Sequence, residues 1–138
     1  MINFAEILKA NPVGVLATVE AKNGSDCRPH TRVFQYLFAD GNKIYFCTNS
    51  DKSVYKQLAA NPNVSFCTYP QNFTPVLSVN GKAVFAQDMS LKTRALDENP
   101  LIKSIYQTAD NPIFKIFYID AKEFNTFSME EGAKTYRV

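Results

Sequence analysis

The chain is short of the residues that carry most side-chain catalysis. His30 is the single histidine in 138 residues, and there is no tryptophan. Cys27, Cys47 and Cys67 stand twenty residues apart, and none forms a C-x-x-C pair. One histidine and three isolated cysteines cannot assemble a four-ligand zinc site, so no metal is expected. The cysteines lie among apolar and β-favouring neighbours and read as reduced packing residues. No G-x-S-x-G elbow, H-E-x-x-H pair or P-loop is present, and Ser-His-Asp hydrolysis would rest on His30 alone. There is no block of five or more Lys/Arg, and the formal net charge is only +2, which argues against a nucleic-acid interface. No apolar run approaches the roughly 20 residues of a membrane span. MINFAEILKANP places a glutamate and an asparagine where a signal peptide needs an unbroken apolar core. The expectation is a cytoplasmic protein that contacts neither membrane nor nucleic acid.

What is present suits one packed domain spanning 1–138. Hydrophobic residues make up 46% of the chain, enough for a core without disulfides or metal. Asn3 can cap a short helix carrying Phe4, Ile7 and Leu8, which Asn11-Pro12 would stop. VGVLATVE (13–20) reads as a strand and Lys22-Asn23-Gly24-Ser25-Asp26 as a turn. Residues 28–38 read as a second strand, joined by the turn Asp40-Gly41-Asn42 to a third, KIYFCT. Asn49-Ser50-Asp51 offers capping side chains to a helix with Val54 and Leu58 on one seam. Asn61-Pro62-Asn63 ends it, and VSFCTY is the next strand.

Residues 76–87 form a long strand, bulged at Gly81. The stretch 90–107 is helical and broken at Asn99-Pro100, and FKIFYIDA (114–121) with EFNTFSM (123–129) reads as a closing hairpin. The polar tail EEGAKTYRV reads as a loose end or a partner contact. Six or seven strands with helices between only some of them indicate a mainly β barrel or sandwich with accessory helices.

The chemistry concentrates where the KIYFCT strand hands over to a helix. A helix start directs free N–H groups and the positive end of its dipole at one spot. Thr48, Ser50 and Ser53 add hydroxyls, and Lys52 adds a charge. Arg32 can join them if its strand pairs with 43–48 through the Gly41 turn. Such a set suits a phosphomonoester. It also suits plain helix capping by Ser50 or Asp51, with Lys52 solvated and Arg32 paired to a surface acid.

The succession PHTRVFQYLFADGNKIYFCTNSDKSVYKQLAANPNVSFCTY resembles the FMN-binding split-barrel family, related to pyridoxamine 5′-phosphate oxidase. Pro29, Arg32, Tyr45, Phe46, Thr48, Lys52, Gln57, Leu58, Asn61 and Pro62 match its pattern. The segment V-N-G-K-A (79–83) is similar to the family's glycine-bearing strand. The resemblance implies a six-stranded antiparallel split barrel of Greek-key type that forms a homodimer, with FMN between the subunits. Arg32 would bind the FMN phosphate, with Lys52 and Ser53 completing that site. Val33, Phe34 and Gln35 would run beside the flavin ring, and Cys47, Thr48 and Asn49 would contact flavin or phosphate at the strand end. The flavin would carry the electron chemistry at N5, taking electrons from NAD(P)H to a small organic acceptor.

True pyridoxamine phosphate oxidases grip substrate with a tryptophan and an Arg-x-His segment. The absence of tryptophan, and of histidine after His30, argues against that activity and against haem handling through a C-terminal histidine. Small reductase-like members, including those similar to nitroimidazole reductases, remain. Phe34, Tyr36, Tyr69 and Phe73 are candidates to line the substrate pocket. No residue stands out as a catalytic acid or base. The alternatives are a flavin-binding, sensing or carrier module without catalysis, or a barrel holding another phosphorylated cofactor such as a deazaflavin.

Overall fold

The computed structural model of the chain describes residues 2–21 and 27–138; the turn expected at 22–26 lies outside them. Twelve elements follow in order: α1 (Phe4–Ala10), β1 (Val13–Ala21), β2 (Cys27–Gln35), β3 (Phe38–Asp40), β4 (Lys43–Asn49), α2 (Ser53–Ala60), β5 (Asn63–Thr68), β6 (Val76–Ala86), α3 (Met89–Glu98), α4 (Pro100–Tyr106), β7 (Phe114–Ser128) and β8 (Gly132–Arg137). The strands form one antiparallel sheet in the order β2-β1-β5-β6-β7-β4-β3, with β8 added to β7. The architecture is therefore mainly β with accessory helices, as expected, but with eight strands rather than six.

Three local expectations are corrected. The stretch 28–38 is not one strand. β2 pairs with β1 as far as Gln35. The chain then changes partner, with the Tyr36 N–H donating to the Pro12 carbonyl at 2.7 Å and the Leu37 N–H to the Tyr45 carbonyl at 3.0 Å. Only β3 pairs with β4 across the Asp40-Gly41-Asn42 turn, so Arg32 does not reach the helix start by that pairing. The closing hairpin is likewise one continuous strand, β7, whose first half lies between β4 and β6 and whose second half lies between β6 and β8. The polar tail is β8 itself.

The barrel interior is filled by alternate side chains of several strands, among them Leu16, Phe46, Phe66, Val79, Phe117 and Ile119, with Leu8 of α1 and Val54 and Leu58 of α2 closing over them. A second cluster, with Tyr45, Ala95, Leu96, Tyr106, Phe114 and Ile116, lies between the outer face of β4 and β7 and the pair α3–α4. β4 and β7 are thus covered on both faces, which is why KIYFCT lacks the polar alternation of a half-exposed strand. At Phe46, fully buried and packed on Phe66 and Phe117, truncation to alanine leaves a cavity that costs about 3–5 kcal/mol. Among the described residues no helix is long and apolar enough to cross a membrane.

Candidate functional site

Arg32 lies on β2, where side chains alternate, and its partner across the ladder is Leu16 of β1. Its guanidinium turns toward α2 and is anchored there. Nη1 donates to Thr18 Oγ1 at 3.1 Å and Nη2 to Gln57 Oε1 at 2.8 Å. The Thr18 hydroxyl donates in turn to the same Gln57 oxygen at 2.8 Å. A guanidinium only donates, so this triangle fixes the Gln57 amide with its oxygen toward Arg32. Among the described residues no carboxylate forms an ion pair with Arg32. Partial burial lowers its pKa, yet a guanidinium stays charged throughout the physiological range. The result is a half-buried cation held by neutral oxygens, poised for an anion.

Arg32 stands at the junction of two concavities. The first is a cleft of about 420 Å³, within the roughly 300–1,000 Å³ usual for small-molecule sites. Arg32 and Lys52 bring two cations to it, and Val33, Phe34 and Gln35 of β2 and Cys47 of β4 line it. Leu37, Val54 and the α4 residues Leu101, Ile102 and Ile105 give it apolar surface. No carboxylate lines it. The second concavity, about 450 Å³, lies on the other side of Arg32 and includes Ser53, Lys56 and Gln57 of α2 with Glu20 and His30 of the neighbouring strands.

Six of the nine residues expected at the cofactor site, Arg32, Val33, Phe34, Gln35, Cys47 and Lys52, line the cleft together. Ser53 lines the second concavity beside Arg32. Thr48 and Asn49 line neither. On β4 the side chains alternate, so Cys47 faces the cleft while Thr48 turns inward and is buried. The Thr48 Oγ1 has no hydrogen-bond partner among the described residues. Asn49 accepts a short hydrogen bond from the Tyr106 hydroxyl, tying β4 to the end of α4. The expected caps are also absent: Lys52 is the N-cap of α2 and no side chain caps it, which leaves leading N–H groups of the helix available. Asp51 lines neither concavity.

Burial pushes the Cys47 thiol up to about 11, against the opposing pull of Lys52. Burial likewise raises the Tyr106 phenol to about 12, helped by Cys47 and Asp51. The cleft therefore holds a neutral thiol, not a thiolate nucleophile. Of the aromatic residues expected at a substrate pocket, only Phe34 lines the cleft. Tyr36 is buried in the barrel core, and Tyr69 and Phe73 stack on each other at 5.3 Å on the surface.

Thr18, His30, Lys56 and the three apolar residues of α4 were not singled out as site residues from the sequence, and Gln57 only as a pattern match. Thr18 and Gln57 are 39 positions apart, and only the packing of α2 across β1 joins them. The apolar α4 residues carried one available signal, since Leu101 and Ile105 are four apart on a helix of otherwise polar surface.

The cleft thus combines two cations with an apolar lining. A family model for pyridoxamine 5′-phosphate oxidase matches residues 2–128. The structure of a NimC/NimA family protein from Clostridium acetobutylicum is similar with a TM-score of 0.81 at 26% identity, covering 96% of this chain and 88% of that one. General Stress Protein 26 from Bacillus anthracis shares the fold with a TM-score of 0.77 at 20% identity, over 96% and 94% of the two chains. A heme binding protein from Mycobacterium smegmatis shares it with a TM-score of 0.76 at 16% identity, over 95% of this chain and 55% of that one. No curated protein sequence matches the chain. A match over residues 2–128, on a split barrel with its cleft at Arg32, places the chain in the pyridoxamine 5′-phosphate oxidase family.

Proposed function

We propose that the cleft binds FMN at the interface of a homodimer, and that the protein is an oxidoreductase reducing a small organic acceptor with electrons from NAD(P)H. The observation that carries this reading is the polarity of the cleft. Its lining combines Arg32 and Lys52, with no carboxylate beside them, and apolar surface from Leu37, Val54, Leu101, Ile102 and Ile105. A flavin mononucleotide has the matching distribution of charge and apolar surface. Arg32, Lys52 and Ser53 would hold its phosphate, with the anchored Gln57 keeping Arg32 in place. Val33, Phe34 and Gln35 would flank the ring, and Cys47 would pack beneath it as a neutral group. When bound, the flavin would supply electron exchange at N5 between the nicotinamide and the acceptor. The protein's own contribution would be orientation, exclusion of water by α4, and a fixed positive charge.

The cleft's lining holds no histidine and no carboxylate, the side chains that most often transfer protons near neutral pH. That observation favours a second reading, a flavin carrier or sensor. Purified protein decides between them. FMN should bind and give a flavin spectrum, and Arg32→Ala should weaken binding by about 1.5–3 kcal/mol, roughly ten- to hundredfold in Kd. Anaerobic NAD(P)H should bleach the bound flavin. Binding without bleaching selects the carrier, and failure of wild-type protein to bind FMN would sink both readings.

A further inference from the structure

Arg32 lines both the cleft and the second concavity, whose lining has a different character. Apart from Ala60 every residue there is polar or charged: Glu20, His30, Arg32, Ser53, Lys56 and Gln57. Ser53 and Lys56 are three apart on α2 and share a face. Lys56 has no carboxylate partner among the described residues. Gln57 has its oxygen committed to Arg32 and Thr18, so its amide hydrogens are left for a ligand at a wall that it lines. The carboxylate in the lining, Glu20, is engaged with His30 at 2.6 Å, which reduces its repulsion toward an incoming anion.

A phosphate seated between Arg32, Lys52 and Ser53 would lie at the mouth of this concavity. A mononucleotide seated this way would leave Lys56 and the Gln57 amide unused. From this we infer that the second concavity is a subsite for another phosphate joined to the first, so that the protein accepts a dinucleotide flavin, FAD, as well as FMN. The pyrophosphate would place one phosphate on Arg32 and Lys52 and the next on Lys56 and the Gln57 amide, with the nucleoside leaving over Ala60. The inference rests on the reading of the cleft as a flavin site.

Fluorescence titration of flavin-free protein with FMN and with FAD tests it. The wild type should bind FAD at least as tightly as FMN. Lys56→Ala should weaken FAD about five- to tenfold, since an exposed lysine–phosphate contact is partly screened, and leave FMN within about twofold. Ala60→Trp, which fills the subsite from its rim, should do the same by exclusion. Equal effects on both flavins, or none, would overturn the subsite while leaving FMN binding intact. So would a wild type that binds FMN but holds FAD more than about tenfold less tightly, a loss of the size one missing contact gives. Failure to bind either flavin would overturn the reading of the cleft and this inference with it.

Discussion

At the scale of single residues, Cys47 shows how position overrides chemistry. It lines the cleft together with the cation Lys52, yet burial pushes its thiol up to about 11 from an ordinary value of 9.0. The folded state therefore binds the proton more tightly than the unfolded chain. The linked stability is fully present below about pH 9 and is lost as pH rises through the interval to 11. Two units correspond to roughly 2–3 kcal/mol, and Tyr106, raised to about 12, adds in the same direction at higher pH. The expected outcome is a steep loss of thermal stability between pH 9 and 11 that is shallower in Cys47→Ala, read from Tm against pH. Parallel slopes in the two proteins would show that Cys47 ionises freely. Below pH 9 iodoacetamide should label exposed Cys27 well before Cys47, as mass spectrometry of peptides would show.

At the scale of elements, what was legible in the sequence divides along physical lines. The cap at Asn3 and the break at Asn99-Pro100 were readable because each depends on local chemistry, and the irregularity expected at Gly81 is there as a register shift whose extra residue lies on β7. The false hairpin at 122 has the same origin as the Gly81 bulge. Asn80 lies opposite Glu123 and Gly81 opposite Ala121, so Lys122 is the extra residue on β7. Polar Lys122 looks like a turn, but it is exposed at a bulge and pairs with Asp120. The break after Gln35 was invisible because Phe34, Tyr36 and Phe38 keep an apolar alternation in the sequence, although Phe34 and Tyr36 pack on the barrel core and Phe38 on the second cluster. Within the site, Arg32 and Lys52 were singled out from local chemistry and Val33, Phe34 and Gln35 only through the family resemblance, whereas Thr18 and Gln57 depend on tertiary packing. The bulge also makes a prediction. A Cβ at Gly81 would stand 2.2 Å from the Asp120 carbonyl oxygen and 3.0 Å from the Ile119 side chain. Backbone cannot yield as a side-chain tip can, so Gly81→Ala should destabilise by about 3 kcal/mol, the upper end of overpacking costs. Chemical denaturation measures it, and a change under about 0.5 kcal/mol, the level of an ordinary surface substitution, would show that the bulge relaxes freely.

At the scale of the whole molecule, the outer face of β1 and β2 connects the proposed assembly to the proposed cofactor. Val15 and Val33 are direct partners across the ladder, and both are exposed, as is Val13 further along β1. Val33 is 69% exposed and at the same time lines the cleft. A contiguous apolar patch of this kind on a sheet face marks an interaction surface. If a second copy covers it, two-fold symmetry uses each valine twice, and each buried side chain contributes about 1.5–3 kcal/mol. Val33→Asp would then desolvate two like charges facing a shared surface and leave the flavin ring without its neighbour from the partner. Light scattering after gel filtration should show a dimer for the wild type and a monomer for Val33→Asp. FMN affinity should fall in the same variant, although Arg32 and Lys52 are untouched. A variant that remains dimeric and retains its FMN would place the dimer interface elsewhere on the barrel. Monomerisation with unchanged FMN affinity would instead show that one chain's cleft is a complete site, and that the dimer serves stability alone.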